Sequence, residues 1–585
     1  MTPAMNRGLK VRYTRGRYSM EVSLHMRTAT LAHRMALWLT LIALAGCQAA
    51  APRPDYETLY KAADEGQPVS VDELRAAFLA APDFDQRMQQ LAPLEQQALG
   101  MMVDEPLRLG AVGSAILNLY YGSLAGHYAL VRFYEHVEAP ESVTQHQVWV
   151  EKITKSIESA GDGSKEKPYP VMSAAEAQAF LRIRGLTSVG SMYHSGDKVP
   201  FMMLVSARPE KGPLQNIYFD LTAAYRAVEN TVTKEEEAEG ETPSDKPFSA
   251  GMLIGFLARS DDSAAQAAIG AYLLGQNRFR ESADWLSAAS RTGNVLANLM
   301  LARVYQLEAR DLEGDARKEA MEFVLEQYLH AIAVGSDEAM FALAGLYLDG
   351  DYGEDNVESG LALLKQSAEL NNPNALMWLG HLYAEGSHVP KDEVLAVDYF
   401  KQAAATGDTR ARLQYVRFLL SQDDTHEFDP QARAWLVEEA KAGEPEAMLL
   451  LGNLYAKGVG VSQSYRQALT WFKSAVSTSP EDVNIVNEVA WTLAVSHLEP
   501  LRKPSYALEI MDRAMSADEA ARKNPAYLDT WAAAYAANGN FTRAVALQQQ
   551  AVDAAKEQQE SEVVEVLQAH LDAFQRGEAV IDPVP

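Results

Sequence analysis

At 585 residues the chain is too long for one ordinary hydrophobic core, so it forms either several domains or one extended array. Hydrophobic residues make up 48% of it, enough to fold most of its length, and the single cysteine, Cys47, excludes any disulfide within the chain. The net charge of −27 is uneven: residues 1–46 carry a net +6, so the chain from Cys47 onward carries −33, and so acidic a body argues against binding nucleic acid or anionic lipid through its general field.

Residues 1–46 read as an export leader. Met35 to Ala45 is an apolar run of about eleven residues, MALWLTLIALA, with Arg27 and Arg34 ahead of it. A bilayer span needs roughly twenty, so the run is a signal-peptide core rather than a membrane helix. The first 25 residues are long for a leader, which makes Met20 and Met26 alternative starts. The run ends in Leu44-Ala45-Gly46-Cys47. This resembles the lipobox of bacterial lipoproteins. The resemblance implies that Leu44, Ala45 and Gly46 are recognised by the signal peptidase, that cleavage leaves Cys47 first, and that its sulfur carries diacylglycerol. Gln48 follows, and by the same resemblance a residue other than aspartate there implies the outer membrane, facing the periplasm.

Residues 47–54 (CQAAAPRP) are a tether between lipid and fold. Residues 55–232 are mostly helical, with helical patterns at Val71–Leu79 and Phe84–Leu99 and a helix pair over Leu107–Val137 that turns near Gly122–Gly126. Arg108, Asn118 and His127 in that pair argue for buried core rather than a membrane span. Gly161–Pro170 is a loop. Val199–Ala207 and Leu214–Leu221, rich in β-formers, predict a small β-hairpin inserted among the helices. Residues 233–247 are acidic and poor in apolar side chains, which predicts a disordered linker.

A repeat array follows over residues 248–480. Ala339, Ala375, Ala411 and Ala447 recur every 36 residues. Three of the four open AMFALAGLYLDG, ALMWLGHLYAEG and AMLLLGNLYAKG; the copy at Ala411 is degenerate. Ala375, Leu379 and Tyr383 form one apolar stripe, Gly386 ends the helix, and a second helix carries Tyr399, Ala403 and Ala404 before Gly407. One such hairpin cannot bury its own stripe, so neighbours must stack. The pattern resembles the Sel1-like repeat, a relative of the tetratricopeptide repeat, most closely over Ala375–Gly407 and Ala447–Ala475. Looser copies precede it from residue 264, one with an insertion near Arg310–Glu319. Residues 481–556 resemble tetratricopeptide hairpins, notably Tyr527–Ala551 with Gly539 in the turn. Residues 557–585 are a capping helix, Glu560–Arg576, and a tail. The resemblance implies an all-α, right-handed solenoid.

Motifs for chemistry are missing. No zinc helix, nucleophile elbow, phosphate loop or dinucleotide fingerprint occurs, and Gly458-Val459-Gly460 sits where a repeat needs a turn. His381 and His388 with Glu385 and Asp392, or Asp349, Asp351, Glu354 and Asp355, match no known ligand set, so no metal or other cofactor is expected. Tyr347, Trp378, Tyr383, Trp435, Tyr455 and Trp471 recur at repeat positions and read as core rather than a sugar platform. The expectation is a lipid-anchored, non-enzymatic scaffold of the cell envelope. It would bind envelope proteins or peptides through its repeats, in envelope assembly or exopolysaccharide export. The alternative is a cell-wall or polysaccharide-active enzyme, or a glycan binder, whose site would lie in residues 55–250 as a closed cleft with two converging acids.

Overall fold

A computed structural model describes residues 54–102, 104–196, 199–210, 212–238, 249–350, 356–421, 428–558 and 561–582. The chain divides into two compact units. The first comprises Met1–Thr187, Tyr193–Val205 and Ile217–Leu257; the second comprises Ser188–Met192, Ser206–Asn216 and Ala258–Pro585. The leader, with Leu44, Ala45, Gly46 and Cys47, lies outside the described residues.

The first unit opens with helices Tyr56–Asp64, Val71–Leu79 and Phe84–Met101, the last two close to the sequence-based limits. The expected helix pair is Leu109–Leu119 and Leu124–His136. Ser123 caps the second helix by accepting the Gly126 N–H. Gly126 lets the two helices touch, since a Cβ there would stand 2.6 Å from Ile116. The helix Pro140–Ala160 packs on the second of these, Leu124–His136, and buries Trp149, Ile153 and Ile157 at helical spacing. Among the described residues no helix is long and apolar enough to cross a membrane.

Four strands form one sheet: β1 (Tyr169–Pro170), β2 (Leu186–His194), β3 (Met202–Pro209) and β4 (Gln215–Asp220), in the order β1-β4-β3-β2. β1 runs parallel to β4, with Tyr169 opposite Phe219 and Pro170 opposite Asp220. β3 and β4 are neighbours in the sheet and form the expected hairpin; β1 and β2 enlarge it beyond a simple insertion. Gly190 interrupts the β-forming pattern of β2 because nothing larger fits: a Cβ there would meet Asn294 Oδ1 at 2.8 Å. The helix Thr222–Ala238 corrects the linker expected at 233–247, since it runs through the start of that segment. Lys234, Glu235, Glu236 and Glu237 are good helix formers despite their polarity, and Ala238 is the best of all. Residues 239–248 lie outside the described residues.

The second unit is a solenoid of helix hairpins. Ser263–Gly275 packs on Phe279–Ser290, and Val295–Glu308 on Gly314–Ala333. Here the insertion becomes a short 3-10 turn, Ala309–Asp311, and a lengthened second helix. The 36-residue copies follow: Asp337–Leu348 with Val357–Glu369, Pro373–Glu385 with Glu393–Ala405, Thr409–Ser421 with Pro430–Ala442, and Pro445–Lys457 with Tyr465–Thr478. Val483–Val495 with Pro504–Ala517, Pro525–Ala537 with Phe541–Glu557, and a last helix Ser561–Gln575 complete it. The start signals repeat as faithfully as the apolar stripe. Ser336, Asn372 and Asp408 each accept the N–H three residues on, at Ala339, Ala375 and Ala411. Gly386 ends its helix at φ 81°, the left-handed cap its position predicts. Gly380 lies over Phe400 and Gly452 over Phe472, where a Cβ would stand 3.0 and 2.4 Å from the ring. Because every hairpin leaves one face for the next, the core runs unbroken from Phe400 to Phe574.

Candidate partner-binding surface

Towards the end of the array, three first helices of successive repeats, Val483–Val495, Pro525–Ala537 and Ser561–Gln575, bring Trp491, Asp529 and His570 together. Asp529 Oδ1 lies 2.9 Å from His570 Nδ1 and accepts a hydrogen bond of 2.7 Å from Gln548 Nε2. Gln548 is buried and also donates to the Leu567 carbonyl, so Asp529 is held from behind by a fixed amide. Burial disfavours charge on His570, but the hydrogen bond and charge of Asp529, reinforced by Asp582, raise its pKa above the ordinary imidazole value. The Trp491 ring lies 5.7 Å from His570. Beside them a hollow of ≈ 290 Å³ is lined by Asn487, Glu488, Trp491, Ala526, Asp529 and Thr530. A second, of ≈ 380 Å³, is lined by Glu481, Asp482, Asn484, Asp518, Asn524 and Tyr527 among others. Two of its carboxylates already serve the backbone: Asp482 caps Val483–Val495, and Asp518 accepts from the N–H groups of Ala520 and Ala521.

The chain's own tail reaches this surface. After Gly577 it turns back to Val495–His497: Asp582 N–H donates to the Val495 carbonyl at 2.8 Å, and His497 N–H donates to the Asp582 carbonyl at 2.9 Å. Trp491 Nε1 donates to Asp582 Oδ2 at 3.3 Å. The groups here are an indole N–H, an imidazole, amides and carboxylates. They can recognise main chain and charge, and include no activated nucleophile.

The first unit holds a different polar cluster. Glu95 Oε1 accepts from Ser123 Oγ at 2.6 Å and Oε2 from Ser173 Oγ at 2.8 Å. Burial pushes the Glu95 carboxyl up to about 7, against the two hydroxyls that favour its charge and with the help of nearby Glu176. Glu176 pairs with Arg75 at 2.7 Å and accepts the Met172 N–H. Burial opposes the charge on Arg75, and Glu176 beside it overrides this, holding the guanidinium above its ordinary value. Nearby, His127 Nε2 meets the Tyr121 carbonyl at 2.8 Å, so that nitrogen is the donor. Nδ1 of His127 is then the acceptor for His146 Nδ1 at 3.0 Å. Burial, aided by His146, lowers His127 to about 3. Two acids do converge in this unit, as an enzyme there would require. Glu95 and Glu176 are each 2% exposed, however, and hydroxyls or a guanidinium occupy their oxygens. The cluster is buried internal structure closed to a substrate.

Other residues singled out from the sequence fall in structural roles. Asp392 caps the helix Glu393–Ala405 through the N–H groups of Val394 and Leu395, and His381 sits edge-on to Phe400 while accepting from Gln414. Among the described residues no group of three or more His, Cys, Asp or Glu side chains is placed to hold a metal. Asp351, Glu354 and Asp355 lie outside the described residues. Gly458 and Gly460 take φ 77° and 64° in the repeat turn. Tyr347, Trp378, Tyr383, Trp435, Tyr455 and Trp471 pack half-buried against the core clusters, as expected of core. The Trp491–Asp529–His570 group is absent from the sequence reading. Its one local signal is Asp529 on a buried helix face of YLDTWAAAYAA.

A family model described as the Sel1 repeat matches residues 337–372, 373–408 and 445–477. Its gap falls on the degenerate copy, which still folds as a hairpin. The chain is similar to the chitin synthase regulator SKT5 of Saccharomyces cerevisiae, 30% identical over 156 residues, which are 26% of this chain and 22% of that protein. It is also similar to an exopolysaccharide production negative regulator of Rhizobium leguminosarum bv. viciae, 30% identical over 147 residues, 23% of this chain and 55% of that one. The chain thus spans from about a fifth to about half the length of these curated relatives. Among solved structures, a Sel1 repeat protein from Oxalobacter formigenes is 24% identical, covering 43% of this chain and 98% of its own, at a TM-score of 0.33. The protective antigen c5321 of uropathogenic Escherichia coli is 16% identical, covering 88% and 97%, at 0.38. With three hairpins matched residue range by residue range, the array carries Sel1 repeats over residues 337–408 and 445–477.

Proposed function

We propose that this chain is an adaptor of the bacterial cell envelope, held by lipid on Cys47 to the outer membrane and facing the periplasm, that binds protein partners without catalysis. The observation that carries the binding role is the open hollow of ≈ 290 Å³ on consecutive first helices of the array, lined by Asn487, Glu488, Trp491, Asp529 and Thr530. Groups on a rigid stack of helices suit an extended or helical segment of another protein. The names of the two relatives add a direction: each is called a regulator, one of a chitin synthase and one of exopolysaccharide production. By analogy the partners are components of envelope assembly or polysaccharide export.

The test is a crosslinking pull-down from intact cells, with wild type beside Cys47→Ala and mass spectrometry of both. The adaptor reading expects a defined set of envelope proteins with wild type. The anchor reading expects the Cys47→Ala chain to leave the membrane fraction and lose that set. Wild type that recovers no protein above background would overturn the adaptor, and a Cys47→Ala chain that stays with the membrane would overturn the anchor.

A further inference from the structure

The contact between the tail and Val495–His497 is small and of a particular kind. Ser496 leaves the helix in an extended conformation, φ −49° and ψ 131°, and pairs with Asp582 as a single parallel bridge. Two main-chain hydrogen bonds flank it, and the Asp582 carboxylate sits on the Trp491 indole N–H. Apolar burial adds little: Val580 packs partly on the core, and Ile581 is 51% exposed. This is how an added strand binds a sheet edge, with main chain supplying hold and one side chain supplying selectivity. Trp491, which holds the carboxylate, also lines the hollow of ≈ 290 Å³, so the tail sits at the rim of the surface the adaptor reading assigns to partners.

We propose that residues 577–582 are a built-in occupant of this surface, and that a partner is an extended peptide with an acidic side chain in the place of Asp582, which must displace the tail to bind. The inference rests on the adaptor reading and adds regulation to it. A contact made by three hydrogen bonds at one residue, with almost no buried apolar area, can be exchanged for an equivalent one in trans. A clasp whose purpose was stability would bury its apolar residue, and Ile581 is left half exposed.

The experiment is a fluorescence-anisotropy titration with a labelled synthetic peptide of residues 577–582 (GEAVID). Three proteins are compared: the full chain, the full chain with Asp582→Asn, and a chain ending at Arg576. In the full chain the tail competes, and binding is weak. Asp582→Asn loosens the tail while leaving the rest of the chain in place, and is expected to tighten peptide binding about tenfold; the shortened chain tightens it further. A peptide carrying asparagine in place of the aspartate should lose most of the gain. Equal binding of the probe to wild type and Asp582→Asn, at unchanged circular dichroism, would overturn the proposal, as would equal binding of the two peptides. The Asp582→Asn arm keeps the test informative if the shortened chain fails to fold. A failed cell pull-down with a successful titration would sink the adaptor's envelope role and spare the latch; the reverse result would sink the latch alone.

Discussion

The two units of this chain solve the same burial problem with different chemistry. The array repeats a few apolar and backbone devices: a capping side chain every 36 residues, a small residue over an aromatic ring, a glycine at a helix end. The first unit instead buries charge once, in Arg75, Glu176 and Glu95, and a neutral histidine pair, His127 and His146. Repeated apolar contacts tolerate the loss of one copy, as the degenerate hairpin at 409–442 shows by folding. A single buried polar network has no second copy, and each member leaves another uncompensated when removed. The first unit should therefore be the more fragile to point changes and the more sensitive to pH.

The sharpest test is Arg75→Met. It leaves the Glu176 carboxylate buried without its partner, which for buried pairs costs about 3–5 kcal/mol. Hydrogen exchange in the helices Val71–Leu79 and Ala174–Ile183 reads the loss, with Pro373–Glu385 in the array as internal reference. Adding Glu176→Met should recover most of it, because both charges are then gone. If the single variant exchanges within 1 kcal/mol of wild type by the scale of an ordinary surface substitution, the contrast between the units is wrong.

Acidity gives the next largest effect. The folded Glu95 carboxyl, at about 7, binds its proton more tightly than in the unfolded chain, where the ordinary value is 4.5. Its contribution is therefore fully present below about pH 4.5 and is lost as pH rises to 7, a swing of about 3 kcal/mol. His127, lowered to about 3, works the other way: its contribution is lost as pH falls below 6.5. Between pH 5 and 7 the two largely offset, so wild type alone would show a shallow profile. Glu95→Gln removes one side of the balance. Relative to this variant, wild type should gain about 3 kcal/mol between pH 8 and pH 4.5, read from exchange in Phe84–Met101. A constant difference across that range would place the Glu95 proton elsewhere.

The same contrast explains what could be read from the sequence. The repeats compare the chain with itself, so their helices, turns and half-buried aromatics are legible from spacing alone. So is the hairpin of β3 and β4, which carries β-formers on both arms. β2 is hidden because Gly190 breaks its pattern for the sake of Asn294. Glu95 leaves a faint trace, an acid on the stripe of Leu91, Ala98 and Leu99, but its partners, Ser123 and Ser173, are the caps of two other helices. The candidate surface is harder still. Asp529 and Gln548 lie within one recognised hairpin, while Trp491, His570 and Asp582 reach them from other elements. Nothing in the local sequence marks such meetings, since each residue holds an ordinary position in its own helix or tail.

The smallest effect is also the most discriminating for the array, because it turns on sign. Gly345 and Gly452 are both helical glycines of first helices in the repeats. Alanine at either gains helix propensity worth about 0.5–1 kcal/mol. At Gly345 the new Cβ would lie 3.6 Å from Trp378, an ordinary contact, so Gly345→Ala should stabilise by that amount. At Gly452 it would lie 2.4 Å from Phe472, a fully buried ring. Overpacking of a tight core costs about 1–3 kcal/mol, which outweighs the propensity gain, so Gly452→Ala should destabilise. Urea unfolding of the two variants, followed by hydrogen exchange in Asp337–Leu348 and Pro445–Lys457, should show shifts of opposite sign. Stabilisation by both would mean that propensity rather than helix approach governs these glycines. The small residue at the Gly380 and Gly452 position would then have no packing role in stacking the hairpins.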